Sequence, residues 1–273
     1  MMGDSSSEPA AAWETQARVL SMGSATPRLT HLDLATKGAP SSFRPFQYFL
    51  VGADSNSWHP AAACGFPQAG HLEVVIPTDT AGWLSGRTDL LLRGPYGNGI
   101  DMAALYGRDL LVVTEGPALA PVRALLQGMD RERTRFGRIS VLAGAVTPAD
   151  LPCHGRLDLP GLRARLDLRL TVERPDATWD GERGVVSSLF RGLDVDPLAT
   201  VVVVAGPRPL FKFAVLEALV RGVAENAILV LPERGHRCAP RSCGHCASGS
   251  LFTSAEGPVF PYPLLKEAPQ EPF

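Results

Sequence analysis

The rhythm of hydrophobic and polar positions changes once along the chain, near Asp109. Between Arg28 and Gly99 the apolar residues come in short, roughly alternating runs: "RLTHLDLA", "FQYFLVGA", "HLEVVIP" and "DLLLRG". Gly, Pro, Ser and Asp separate them, a pattern that predicts short strands closed into a small antiparallel β-barrel. From Asp109 onwards the runs are continuous: "DLLVVTEG", "RISVLAGAV", "LRLTVER", "ATVVVVAGP" and "NAILVLPE". A strand covered on both faces has no polar side to alternate with, so these read as buried parallel strands. Between them, "APVRALLQGM", "GVVSSLFRGL" and "PLFKFAVLEALVRGV" carry helical spacing. Strands alternating with helices predict a doubly wound α/β sheet.

This divides the chain into four parts. Residues 1–26 read as a polar tail with one short helix around Trp13 to Leu20, and 27–104 as the barrel. Residues 105–234 form the α/β domain, and 235–273 are a loop-rich segment that carries three cysteines. There is no internal repeat.

Composition narrows the function classes. The chain of 273 residues is 45% hydrophobic and 20% charged, ordinary values for a globular protein. A formal charge of -2 argues against nucleic acid or an acidic membrane surface as partner. No apolar stretch approaches the roughly 20 residues that span a bilayer. Met1 to Ala12 lacks a basic stretch followed by an apolar one, so no secretory signal is expected. The five cysteines are odd in number and clustered, unlike a disulfide framework, and a reducing cytoplasm is the natural compartment. The six histidines show no H-E-x-x-H pair, and neither a G-x-S-x-G elbow nor a P-loop is present.

The chemistry concentrates at the C-terminal end. Cys238, Cys243 and Cys246 form a C-x4-C-x2-C run, the spacing of plant-type [2Fe–2S] ligands. A fourth ligand could come from His236 or His245. Three cysteines with one histidine would also suit zinc. Cys64 and Cys153 stand alone and read as small packing residues.

Five fragments in order carry a resemblance: "LRGPYGNGI" (92–100), "LAPVRALL" (119–126), "WDGERGVV" (179–186), "GPRPLFKF" (206–213) and "CGHCASG…EGPVFPY" (243–262). They resemble the ferredoxin–NADP reductase superfamily, in particular its branch with a C-terminal iron–sulfur lobe. That branch includes the electron-transfer subunit of dihydroorotate dehydrogenase, the gamma subunit of NiFe sulfhydrogenases and the B subunit of anaerobic sulfite reductase. The resemblance implies FAD at the barrel, NAD(P) at the α/β domain and a [2Fe–2S] cluster at the cysteine lobe. It implies a catalytic redox subunit as partner, of hydrogenase, dihydroorotate dehydrogenase or sulfite reductase type.

Carried over residue by residue, it places His59, Pro60 and Thr80 at the flavin, beside the turn Gly94, Pro95, Tyr96 and Gly97. Gly116, Pro121, Gly206, Pro207 and Arg208 fall at the nucleotide, and Ser254 falls where the family has its fourth cysteine. Serine binds iron as a harder, more basic alkoxide, so a cluster completed by Ser254 should be labile.

Several residues depart from the family pattern. His59 and Ala62 replace the Arg and Ser of the flavin strand, and a neutral imidazole is a poor substitute for a guanidinium fork. Glu115 and Ala118 stand where the nucleotide turn has glycines, and a carboxylate there repels a pyrophosphate. Val146 occupies a frequent Arg position, and Ala205 replaces the cysteine beside the nicotinamide. The expected function is electron transfer between NAD(P)H, FAD and a [2Fe–2S] cluster within a larger complex. The alternatives are an accessory or assembly subunit that keeps the reductase fold without its cofactors, and a zinc-stabilised binding module.

Overall fold

The computed structural model describes residues 13–38, 40, 43–55, 57–152, 166–232, 247–248, 251–252 and 257–267. Six antiparallel strands close a barrel: β1 (Trp13–Thr26), β2 (Leu29–Thr36), β3 (Tyr48–Asp54), β4 (Ser57–Ala63), β5 (His71–Pro77) and β6 (Asp89–Tyr96). They follow the order β1-β2-β5-β4-β3-β6, and β6 pairs back onto β1. Alternate residues point inward, as the period of two requires. Leu32, Leu34, Phe49, Val51, Leu72, Val74, Ile76, Leu90 and Leu92 fill the interior.

Strand β1 corrects the expectation of a tail with a helix at Trp13 to Leu20. This stretch is a barrel strand, paired with β6 from Trp13↔Gly94 to Arg18↔Asp89. Trp13, Ala17 and Val19 face the barrel core, while Glu14, Gln16 and Arg18 face out. That alternation is masked in sequence by the exposed apolar residues Leu20 and Met22.

A seven-stranded sheet follows, built from β7 (Asp109–Glu115), α1 (Leu119–Arg131), β8 (Ile139–Ala145), β9 (Leu166–Val172) and β10 (Glu182–Arg183). It continues through β11 (Thr200–Gly206), α2 (Arg208–Val220) and β12 (Ile228–Pro232). Two-residue strands β13 (Ala247–Ser248) and β14 (Leu251–Phe252) pair with each other. Then β15 (Phe260–Pro261) adds antiparallel to β12, and α3 (Tyr262–Glu267) ends the described chain. The sheet order is β10-β9-β8-β7-β11-β12-β15.

Successive residues of β7 serve opposite cores. Leu110 and Val112 pack with Val122, Leu125, Leu126 and Met129 of α1, whereas Leu111 and Val113 pack with Leu210, Ala214, Val215 and Ala218 of α2. The two helices therefore cover opposite faces, as in a doubly wound sheet. The expected helix in "GVVSSLFRGL" is a single 3-10 turn, Val186–Phe190. Its buried Val186, Leu189 and Phe190 fill the α2-side core. A β-branched pair at its start and Gly192 just after it leave little room for a longer helix.

Candidate functional site

The chain order reverses between β7 and β11, where connections run to β8 on one side and to β12 on the other. Ligands of open α/β sheets bind beyond the carboxyl ends of the strands at such a point. Two clefts open there, one towards the barrel and one towards α2.

The first cleft, of about 320 Å³, lies between barrel and sheet. The barrel contributes Arg28, Tyr48, Pro60, Ala62, Val75 and Pro77; the α/β side contributes Pro117, Ala118, Pro121, Ala205, Leu231 and Pro232, and Pro258 completes the rim. Its volume is at the low end for small-molecule sites, suited to a ring system with any tail lying along the rim. Six of the lining residues are prolines (60, 77, 117, 121, 232 and 258), which offer carbonyls and apolar rings but no backbone N–H. Arg28 is the one charged group of the lining among the described residues.

The site residues drawn from sequence divide. Pro60 and Pro121 line the cleft, as do the departures Ala62 and Ala205. His59 does not. It stacks on Trp83 with ring centroids 4.8 Å apart, and its ring nitrogen meets the Ser57 hydroxyl at 3.3 Å. Burial lowers its pKa below the usual imidazole value, so it is neutral at pH 7. Thr80 spends its hydroxyl locally, donating to the Pro77 carbonyl at 2.9 Å in the 3-10 turn Thr78–Leu84.

The Gly94–Gly97 turn receives the returning C-terminal chain. A Cβ on Gly97, whose φ is +86°, would stand 2.7 Å from both the Gly257 carbonyl oxygen and Pro258 Cδ. Its neighbour Asn98 holds Val259 from both sides, accepting from its N–H at 3.1 Å and donating to its carbonyl at 2.7 Å. Tyr96 packs against Tyr48, centroids 5.7 Å apart, and burial raises its pKa. Arg93, beside this turn, is committed elsewhere: its guanidinium forks onto Glu14 at 2.8 and 2.6 Å and lies 4.6 Å over the Trp58 ring.

The second cleft, of about 260 Å³, lies beyond the ends of β7, β8 and β9. Glu115, Gly144, Ala145, Glu173, Gly184, Val186 and Phe213 are among its walls. Gly116 adopts φ +57° in the turn that follows Glu115, and Pro117 takes one backbone donor out of that turn. Gly206 and Pro207 end β11 and cap α2, and Arg208 opens the helix half-exposed. No cation lines this cleft among the described residues, while two carboxylates do. The arrangement disfavours a pyrophosphate.

Sequence reasoning missed Arg28, Tyr48, Pro117 and Glu173. Pro117 sits inside the nucleotide turn beside Gly116, whereas Arg28, Tyr48 and Glu173 reach their clefts through topology and stand in no motif. It also missed the group joining barrel to α1. There Arg123 donates to Glu73 at 2.9 and 3.3 Å and to the Cys64 carbonyl at 2.7 Å, while His31 Nε2 lies 3.2 Å from Glu73. The ligand atoms of His31, Cys64 and Glu73 lie within 4.8 Å of one another, which is metal-like chemistry. The Arg123 guanidinium already neutralises the carboxylate, so the cluster is an ion-pair joint. Cys64 is a fully buried thiol outside any disulfide. Cys153, the cluster candidates Cys238, Cys243, Cys246 and Ser254, and His236 and His245 lie outside the described residues.

A closed barrel, a doubly wound sheet and a cleft between them at the switch point define a ferredoxin–NADP reductase-like protein. A solved NADH-dependent reduced ferredoxin–NADP oxidoreductase superposes with TM-score 0.67 at 20% identity, over 96% of this chain and 93% of that one. No protein-family model matches the chain. Sulfhydrogenase 1 subunit gamma of Pyrococcus furiosus is 30% identical over 236 residues, covering 81% of this chain and 80% of that protein. Sulfhydrogenase 2 subunit gamma of the same organism is 27% identical over 251 residues, covering 81% and 84%. The chain belongs to the sulfhydrogenase gamma-subunit family. No described helix is long and apolar enough to cross a membrane.

Proposed function

We propose that the protein is an electron-transfer subunit of a multi-subunit oxidoreductase, serving a catalytic partner such as a NiFe hydrogenase. In this reading the first cleft takes the flavin ring and Cys238, Cys243, Cys246 and Ser254 hold a [2Fe–2S] cluster, while the carboxylate-lined second cleft does not fit a nicotinamide nucleotide's pyrophosphate. One observation carries it. The cysteines lie on the stretch between Pro232, which ends β12, and Pro258, and both prolines line the first cleft. The segment is therefore tethered at both ends to the cleft rim. The relatives' names, gamma subunits of sulfhydrogenases, support the same role.

The residues present fit a flavin ring better than they fit its usual polar contacts. The walls are mostly apolar and Arg28 supplies a cation, while the Ala62 side chain offers no donor. A bound flavin supplies exchange between two-electron hydride chemistry and one-electron carriers. The chain's own part is to hold the ring, exclude water with proline walls and keep the cysteine segment at the rim. No acid–base side chain is required of it. Protein purified without oxygen should show flavin bands and about two irons per chain; a colourless protein that still joins its complex overturns the reading. Ser254→Cys should raise iron retention several-fold, and unchanged retention would remove Ser254 from the ligand set.

A second reading, an accessory subunit that no longer uses nucleotide, is favoured by Glu115 and Glu173 in the second cleft. It predicts that wild-type protein binds NADH and NADPH negligibly. Glu115→Gly with Glu173→Gln should then strengthen that binding about tenfold or more, since each removed repulsion is worth on the order of 1 kcal/mol. Tight wild-type binding by calorimetry would dismiss the accessory reading.

A further inference from the structure

We propose that Arg28, at the turn between β1 and β2, binds the phosphate of the ring ligand in the first cleft, the task that the family pattern gives to the position of His59. The inference rests on the flavin reading above and adds the residue that recognises the ligand's charge.

Four observations carry it. Arg28 is exposed, lines the cleft, and is the single charged group of its lining among the described residues. Among the described residues its guanidinium has no hydrogen bond or ion pair, unlike its neighbours. Arg93 is bound to Glu14, and Arg123 to Glu73 and the Cys64 carbonyl. An arginine at a cleft mouth with unspent donors is the fork that phosphate oxygens match.

The backbone of Arg28 is fixed while its side chain is not. Its N–H donates to the Thr26 hydroxyl at 3.2 Å, and its carbonyl accepts from Thr78 N–H at 2.8 Å. The Thr30 and Thr78 hydroxyls meet at 3.3 Å just behind it. The turn is thus joined to the Thr78–Leu84 segment. Asp79 of that segment does not line the cleft.

Strand order explains how the role can move. Strands β2, β5 and β4 are consecutive neighbours, so the β2 entrance lies two strands, about 10 Å, from the β4 position of His59. An arginine side chain on the β2 side reaches into the same cleft across Pro77, the residue paired with Leu29. His59, neutral and stacked on Trp83, has left that role. Arg28 is in place to supply the charge that the otherwise apolar described lining lacks.

The test is a fluorescence titration of the full-length protein, stripped of flavin, with riboflavin, FMN and FAD. Wild type should bind FMN and FAD at least tenfold more tightly than riboflavin, which has no phosphate. In Arg28→Gln the FMN and FAD affinities should fall tenfold or more, to the riboflavin level, with riboflavin binding unchanged. Arg28→Lys should recover part of the loss, and His59→Gln should stay within twofold of wild type. Because Arg28 is exposed, an unaltered thermal unfolding curve would show that the variant is folded. If wild type binds all three flavins equally, or if Arg28→Gln binds FAD as wild type does, the inference falls while the flavin reading stands. If wild type binds no flavin, both fall.

Discussion

Arg123→Ala will destabilise the protein by about 3–5 kcal/mol, because it strands the Glu73 carboxylate in the joint between barrel and α/β domain. The Arg123 side chain is 8% exposed and that of Glu73 15%, so water repairs little of the loss. Arg123 also satisfies the Cys64 carbonyl, which the alanine would leave bare. Urea unfolding measures the cost, and the double variant Arg123→Met with Glu73→Leu should recover most of it. Apolar residues of similar size remove both desolvation penalties at once. If Arg123→Ala alone costs under about 1 kcal/mol, the joint is wetter than its geometry says.

The same joint sets a pH dependence. Burial works to raise the Glu73 pKa, but hydrogen bonds from His31 and Arg123, with the charge of Arg123, outweigh it and hold the carboxyl at about 2. A folded-state pKa below the unfolded one means that the unfolded chain binds the proton first as pH falls. The stabilisation is therefore complete above roughly pH 5 and declines as pH drops from about 4.5 towards 2. After allowance for solvent screening, about 2–3 kcal/mol should be lost over that window. Glu73→Gln should flatten the decline; an unchanged acid limb in that variant would place the titrating group elsewhere.

These residues also mark what a linear reading can reach. The buried strands were legible because "LLVVT" and "VVVVA" have no polar face to lose, and α2 because its run is long and free of internal Gly, although Phe213, Leu216 and Val220 are exposed. Strand β1 was not: Leu20 and Met22 are exposed, which hides the inward set Trp13, Ala17 and Val19. Pro60 and Pro121 were found through short motifs that survive in order. Arg28 and Glu173 could not be, since nothing beside them in sequence says that the ends of β2 and β9 open onto clefts. His59 was found by position, but its stacking on Trp83 depends on packing that no spacing encodes. The Arg123–Glu73–His31 joint spans three elements and has no local pattern at all.

Asn98→Ala and Gly97→Ala will each loosen the return of the C-terminal chain onto the barrel, and with it the rim of the first cleft. Asn98 satisfies both the N–H and the carbonyl of Val259, which is 5% exposed. Its removal orphans two buried groups at roughly 1–3 kcal/mol each, so a loss of about 2–6 kcal/mol is expected. Gly97→Ala adds a Cβ against backbone and a proline ring, neither of which can rotate away, and does so at a positive φ. Gly107 separates the two contributions: its φ is +72° but nothing lies within 4 Å of an added Cβ. Gly107→Ala should cost only the conformational strain, about 1–2 kcal/mol, and Gly97→Ala clearly more. Amide exchange at Val259 and Phe260 reports the site directly, rising at least tenfold in both cleft-rim variants while the β7 and β11 amides stay protected. Pro258 lines the cleft, so flavin retention should fall in the same two variants and not in Gly107→Ala. Equal exchange in all three proteins would mean that the turn at Gly94–Gly97 does not hold the C-terminal chain, and the tether between cleft and cysteine segment would have to lie at Pro232 alone.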